Sequence, residues 1–358
     1  MLGDATTEFA NRVLAGILGT YDTWAIYVGD KLGLYRAMRE RPSLTYGELS
    51  AATGVDARYV KEWIEQQAVT GFVTYDDPAA PAEERRYTLP PAAAEVLTDT
   101  ESLAFLAPFV RLVTAAGIQL PALLEAYRHG GGVGWREFGE DMRTGQAEMN
   151  RPWFLHAMTT DWFPHVPEIH DRLTGGARVA DIGCGEGWSS IGLALGYPRA
   201  TVDGYDLDVP SIEAATAHAA AHGLTDRVTF IGGDAGAIGG KGSYDLVFAF
   251  ECIHDLAQPV AVLDAMRRIV KPDGYVMVMD ERVADEFPGT AGGDVERLMY
   301  GFSLFTCLPD GRSHDPSAAT GTVMRPGTLE GYARQAGFSG IEVLPIDNDL
   351  WRFYRLLL

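Results

Sequence analysis

Near the start of the chain, apolar positions recur at steps of three and four. Phe9, Val13, Leu14, Ile17, Leu18 and Tyr21 fall on one face, and apolar side chains continue through Trp24, Ile26, Tyr27, Val28, Leu32 and Leu34, which predicts a helix through residues 8–40. A helix this apolar requires a large partner surface, either its own domain or a second copy of the chain. Between residues 43 and 75 the rhythm changes. Residues 47–53 read as a short helix, Gly54 as a turn, and Asp56 as the N-cap of a second helix running to about Thr70. The apolar face of that second helix is Tyr59, Val60, Trp63, Ile64 and Ala68. Residues 72–75 and, beyond a loop rich in Pro and acid, 87–89 read as short strands. Helix–turn–helix followed by a two-stranded wing is a winged-helix module.

Residues 101–174 predict a run of helices broken by Pro108, Pro121, Gly130-Gly131-Gly132 and Pro152. Their aromatics, Trp135, Phe138, Trp153, Phe154, Trp162 and Phe163, serve as core or pocket wall. From about residue 175, short β-rich runs alternate with helices. Strands are expected at 178–182, 201–206, 228–232, 244–250, 275–280, 341–345 and 351–357. Strands alternating with helices predict a parallel sheet covered on both faces. The last two runs are too close for a crossover helix and predict an antiparallel hairpin. The expected fold class is therefore α/β, a Rossmann-like seven-stranded doubly wound sheet with a C-terminal antiparallel hairpin, preceded by a mainly helical winged-helix N-terminal domain. The expected divisions are 1–100 for the first helix and winged-helix dimerisation domain, 101–174 for a helical linking and pocket-forming region, and 175–358 for the α/β domain.

Composition fits this picture. The 358 residues, 47% hydrophobic and 22% charged, suit about two globular domains. The formal net charge of −20 repels nucleic acid and anionic membrane, whose binding needs clustered Lys and Arg. Residues 31–100 hold eight basic and eleven acidic residues, and the second helix sets Arg58 and Lys61 against Asp56, Glu62 and Glu65. A helix that enters a DNA groove is a positive element. The winged helix is accordingly read as a scaffold, with no nucleic-acid partner and no membrane partner. Cys184, Cys252 and Cys307 have neither CxxC nor metal-ligand spacing, so no metal site is expected. The first residues carry acids and no basic leader, and no apolar run approaches membrane-span length, which leads us to expect a cytoplasmic protein.

The strongest chemical signal is the run from Val179 through Asp181, Gly183, Cys184, Gly185 and Glu186 to Gly187, closing a strand and opening a helix. Glycines there let the backbone approach a ligand, and the helix start offers free N–H groups. Such a loop alone also suits a dinucleotide. The acids separate the two cases. Asp206 ends the next strand, where a carboxylate can take both ribose hydroxyls, and Asp234 ends the third, where it can accept from an adenine amino group. Together they disfavour a pyrophosphate and suit a sulfonium nucleoside.

Through these motifs and the Lys271-Pro272-Asp273-Gly274 turn, residues 176–282 resemble the class I S-adenosylmethionine-dependent methyltransferases. The resemblance implies S-adenosylmethionine as cofactor. Gly183 and Gly185 would lie against its methionine part, Asp206 would hold the ribose, Leu207 would pack on adenine, and Asp234 with Ala235 would fix the adenine edge. Asp181, Phe250, Glu251 and Met158 complete the implied cofactor-binding set.

Winged helix plus this domain resembles the small-molecule O-methyltransferases of plant phenolic and bacterial polyketide metabolism, and a group of actinobacterial winged-helix methyltransferases. Residues 154–158 are similar to the FNxAM-type helix those enzymes place over the cofactor. Cys252-Ile253-His254-Asp255 is similar to their HDW motif, although Leu256 stands in place of Trp. The implied catalytic set is His254 as base, with Asp280 and Glu281 at the end of the fifth strand orienting its other ring nitrogen. A neutral imidazole, with an ordinary pKa near ~6.5, can take a hydroxyl proton at cellular pH. His156 is a second candidate, a pocket-wall residue.

A metal-assisted variant would use His254, Asp255 and a carboxylate or His314. The connection from Arg282 to Leu329 is long enough to be a lid, with Met299, Phe302 and Phe305 at three-residue steps suiting an aromatic substrate and 311–321 reading as mobile. The expected protein is a homodimeric methyltransferase of a small, aromatic secondary metabolite, acting at oxygen. Carbon or nitrogen methylation, and a ligand-sensing transcriptional regulator with a methyltransferase-like fold, are the alternatives.

Overall fold

A computed structural model describes residues 3–358, in which the chain forms two compact units, Met1–Thr114 and Ala115–Leu358. The first unit opens with α1 (Asp4–Lys31) and α2 (Leu34–Arg39). The single helix expected over 8–40 is thus broken, because Gly33 takes a left-handed φ of 69° that ends one helix and starts the next. Phe9, Val13, Leu14, Ile17, Leu18 and Tyr21 all stay exposed on α1, and burial begins only at Gly29 and Asp30. The helix–turn–helix consists of α3 (Tyr46–Thr53) and α4 (Ala57–Val69).

Both helices are capped from sequence. The Thr45 hydroxyl accepts the Glu48 N–H while the Glu48 carboxylate accepts the Thr45 N–H, and Asp56 accepts the N–H groups of Arg58 and Tyr59. Leu34, Tyr35, Met38, Leu49, Val60 and Ile64 close the core. Tyr59, expected on the buried face of α4, points outward, because that face is centred on Val60, Trp63, Ile64 and Gln67. The wing pairs β1 (Thr74–Tyr75) with β2 (Tyr87–Thr88), antiparallel.

In the second unit a seven-stranded sheet comprises β3 (Arg178–Ile182), β4 (Thr201–Asp206), β5 (Val228–Gly232), β6 (Tyr244–Phe250), β7 (Val270–Glu281), β8 (Gly340–Val343) and β9 (Trp351–Leu357). Its order is β5-β4-β3-β6-β7-β9-β8, with β3 to β7 parallel and β9 antiparallel to both neighbours. The strand expected to start at 275 begins at Val270. Tyr244 pairs with Val270 and Leu246 with Tyr275, so residues 271–274 bulge from the ladder and carry a turn signal inside a strand. The helices expected as a linking region, from residue 115 onward, fold within this same unit.

Successive strand residues point to opposite faces, and both faces are apolar. Val179, Phe248, Met277 and Phe353 pack on one side with Phe154, Met158, Trp162 and Phe163. Ala180, Ile182, Val247 and Val276 pack on the other with Leu263, Met266 and Leu329. The chain runs outward from β3 to β5 and returns to β6 on the other side of β3. The order therefore switches between β3 and β6, where open α/β sheets bind ligands at their carboxyl ends.

The helix over this edge, Trp153–Trp162, is a π-helix packed on the Trp188–Gly196 helix. The approach is close: a Cβ on Gly192 would lie 2.3 Å from the Phe154 carbonyl oxygen and 3.1 Å from the Met158 methyl. Gly192→Ala should therefore lower unfolding free energy by about 1–3 kcal/mol in denaturant titration, since that oxygen can move only with its helix. A substitution costing under about 0.5 kcal/mol would mean the two helices separate freely.

The connection after β7 is mostly ordered structure. It contains the Gly293–Phe302 helix, a π-turn at Ser303–Cys307 and a further turn at Leu308–Gly311. The wider π-turn shifts the phase, so Met299 is buried and Phe305 exposed rather than sharing one face. The 311–321 segment is tied to the loop after β6, where the Gly321 N–H donates to His254 O (3.1 Å) and the Ala318 N–H to Ala257 O (2.8 Å). Among the described residues no single helix is long and apolar enough to cross a membrane.

Candidate active site

Asp181 closes β3 fully buried, and one of its oxygens accepts the hydroxyls of Ser189 and Ser190, both at 2.6 Å. Burial pushes its carboxyl up to about 6, while the two hydroxyls pull the other way. Asp181 thereby pins the start of the Trp188–Gly196 helix beneath the glycine turn. Gly185 sits at φ 51°, and a Cβ there would meet nothing within 4 Å, so this turn faces open space.

Asp206, at the end of β4, accepts the Gly185 N–H on one oxygen and the Asp208 N–H on the other, both at 2.8 Å. Each oxygen keeps a lone pair, and burial raises its carboxyl above the usual range. Leu207 is 64% exposed beside it. Asp234 is exposed after β5, accepts the Gly236 N–H at 2.8 Å, and is followed by half-buried Ala235. A glycine cradle, a diol-accepting carboxylate, an exposed apolar side chain and a rim acceptor are the donor-and-acceptor set an adenosyl group requires. The residues fit it.

Met158 lies in the core against Gly192, so it supports the helix above the site from inside the packing. Phe250 is likewise buried, its ring 5.4 Å from that of Phe154. Glu251 follows it at φ 50°, unusual for a residue with a side chain. One Glu251 oxygen accepts amide hydrogens from Asn150 (2.7 Å) and Gln146 (3.0 Å), side chains of the Glu140–Pro152 helix. Burial pushes the Glu251 carboxyl up to about 7, opposed by the Asn150 bond and by His254 and reinforced by Asp280 and Asp255.

His254, in the loop after β6, is 2% exposed. Its Nδ1–H donates to Asp280 Oδ1 at 2.8 Å, and Glu281 Oε2 lies 3.3 Å from the same nitrogen. The structure thus brings the three residues of the expected catalytic set together, because β6 and β7 are neighbours and end side by side. Nε2 faces Asp255 Oδ1 at 3.2 Å, an ion-pair distance without hydrogen-bond alignment. Burial alone would push this imidazole down, but Asp255, Asp280 and Glu281 outweigh it and hold its pKa well above the ordinary value. Burial likewise raises Glu281. Asp310 is pushed up to about 7 by burial, with Asp255 adding to the effect and the Trp135 N–H (2.7 Å) opposing it.

His156 is exposed on the π-helix and His314 is exposed beyond the Leu308–Gly311 turn, so neither joins this centre. Cys307 comes in its place. His254, Asp255 and Cys307, and separately His254, Asp280 and Glu281, bring ligand-type atoms within 4.8 Å of one another. Sequence reasoning missed Gln146, Asn150, Cys307 and Asp310. Only the first two carried a signal, a polar pair four residues apart on one helix face.

Residues 173–309 match the family model described as a methyltransferase domain, and residues 23–99 match the Rv2258c-like winged HTH domain. The chain is 38% identical over 170 residues to a ubiquinone biosynthesis O-methyltransferase of Paraburkholderia xenovorans, covering 47% of this chain and 66% of the relative. It is 31% identical over 190 residues to the enzyme of that name from Paraburkholderia phymatum, covering 51% of this chain and 75% of the relative. Human N-acetylserotonin methyltransferase, solved in complex with S-adenosylmethionine, superimposes with a TM-score of 0.74 at 14% identity, covering 99% of both chains.

Proposed function

Because the chain belongs to the S-adenosylmethionine-dependent methyltransferases and carries an N-terminal winged-helix domain, we propose that it methylates an oxygen of a small aromatic secondary metabolite. The observation that carries this reading is His254, which follows β6, the strand beside the glycine cradle of β3, and is held by Asp280 at the end of β7. The cofactor would supply a sulfonium methyl group open to in-line attack, with S-adenosylhomocysteine as the leaving group. Asp206, Gly183, Gly185, Leu207, Asp234 and Ala235 would bind and orient it, with Asp181, Phe250 and Met158 fixing the elements around it. Nε2 of neutral His254 would take the proton of the acceptor hydroxyl and so free its oxygen as the nucleophile. Asp280 steadies the imidazolium that results, and Glu281 adds negative charge. Both relatives named for ubiquinone biosynthesis are O-methyltransferases, which supports oxygen as the acceptor atom.

The winged helix reads as a scaffold. Arg58 on α4 is paired with Glu62 at 2.5 Å, so one of this helix's two cations already faces an acid of its own helix. The exposed apolar face of α1 suits a second copy of the chain, making a homodimer. Incubation with S-adenosylmethionine and a panel of phenols, indoles and keto acids tests the reading. Methyl ethers are expected, and a product methylated only at carbon or nitrogen would overturn the choice of oxygen. The cluster around Cys307 favours one second reading, in which a divalent ion activates the acceptor. Turnover lost to a chelator and restored by the ion would select it.

A further inference from the structure

His254 has one ring nitrogen to spare. Its Nδ1–H is committed to Asp280 Oδ1 at 2.8 Å, which leaves Nε2 to face Asp255 Oδ1 at 3.2 Å. That carboxylate oxygen is buried without a hydrogen-bond partner, so the contact is not aligned for a shared proton. The third side of the same space is the buried thiol of Cys307, which ends the π-turn Ser303–Cys307. A ring nitrogen of His254, a carboxylate oxygen of Asp255 and Cys307 Sγ lie within 4.8 Å of one another. Beside the thiol, Thr322 is 1% exposed, and its hydroxyl is buried without a partner.

Three lone-pair atoms of different elements around one point describe a cation site. A hydrogen bond needs donor, proton and acceptor near one line, whereas a coordinated ion sits off that line, where the lone pairs converge. A tetrahedral zinc would space such ligands by about 3.3–3.5 Å. Nε2 and Asp255 Oδ1 already stand close to that spacing, and Cys307 Sγ has to close by at most about 1.5 Å. Asp280 supports the arrangement from outside, since a carboxylate on Nδ1–H fixes the tautomer whose Nε2 binds metal. Nitrogen, oxygen and sulfur together select an ion of the zinc class over magnesium or calcium, which take oxygen ligands. We propose that His254, Asp255 and Cys307 form a site for a divalent cation of the zinc class, whose binding withdraws the base and halts methyl transfer. This rests on the reading of His254 as base and adds a means of switching it off. Coordination releases the thiol proton, and the Nε2 proton of any imidazolium, as the bonds to the ion form. Burial, with Asp255 adding to it, favours the protonated thiol, and the ion supplies the charge that ionises it. The Thr322 hydroxyl then gains a thiolate to donate to.

Cobalt(II) titration of the wild-type protein tests the site without relying on turnover. A thiolate-to-cobalt charge-transfer band should grow to one equivalent, zinc should displace the cobalt, and Cys307→Ser should abolish the band. With an acceptor from the panel above, zinc should inhibit the wild type competitively with the acceptor, and a chelator should restore the rate. Cys307→Ser should weaken that inhibition by at least about 100-fold, a loss that even a supporting residue of a metal site can cause. Asp255→Asn should weaken cobalt binding and zinc inhibition by about tenfold, and it carries the test if Cys307→Ser does not fold. No band, or a band that survives Cys307→Ser, would overturn the site and leave the reading of His254 as base untouched. A Cys307-dependent band with turnover indifferent to zinc would overturn the inhibitory role and, with it, the base. A rate that the chelator lowers would overturn inhibition in favour of an ion that activates the acceptor.

Discussion

Replacing His254 with alanine should slow methyl transfer by about 100- to 1,000-fold while leaving S-adenosylhomocysteine affinity unchanged. The imidazole is buried between carboxylates that favour its charged form, yet only its neutral form can accept a proton. The direction of the pH dependence follows. The carboxylates raise the imidazolium pKa, so the neutral fraction near pH 7 is small. It grows about tenfold per pH unit until the raised pKa is passed, so kcat/KM should climb with unit slope below that pKa and level off above it. Asp280→Asn removes one of the charges that hold the proton on, and should move that climb to lower pH. A pH profile that ignores Asp280→Asn, or a His254→Ala variant retaining more than about a tenth of the wild-type rate, would dismiss His254 as the base.

Asp206→Ala should weaken binding of both S-adenosylmethionine and S-adenosylhomocysteine by about 100-fold in calorimetry, the largest loss expected at the cofactor end. Two functions are lost at once. The carboxylate would offer its remaining lone pairs to the ribose hydroxyls, and it fixes the Gly185 N–H that shapes the cradle. Asp206→Asn keeps one acceptor oxygen and should recover about tenfold of that loss. A loss below about threefold in Asp206→Ala would show that the nucleoside is held elsewhere.

Much of this arrangement was legible before any coordinates. The limits of β3, β4, β5, β6 and β9 match those read from the sequence, most directly in β3 and β6, where nearly every position is buried. β7 was misjudged because Lys271-Pro272-Asp273-Gly274 is a turn signal that the sheet absorbs as a bulge. The break after α1 was likewise hidden, since Gly33 sits within a continuous apolar run and only its backbone conformation reveals the stop. At the site, neighbouring strands made the encounter of His254 with Asp280 predictable across a separation of 26 residues.

Asn150, Gln146 and Cys307 reach the site from helices, whose placement over a sheet depends on packing rather than on local pattern. The π-turn at Ser303–Cys307 had the same effect on the face containing Met299 and Phe305. Nothing in the residue types marks an extra residue per turn.

The gathering of Glu251, Asp255, Asp280 and Glu281 beside one imidazole bears on how the enzyme empties itself. A methyl donor enters carrying a sulfonium charge that these carboxylates attract. Once the methyl has left, the same molecule is a neutral thioether, and that attraction vanishes while the contacts to ribose and adenine remain. Spent cofactor should thereby be held less tightly than fresh cofactor, so that the acidity drawing the reagent in would also tilt the exchange toward reloading.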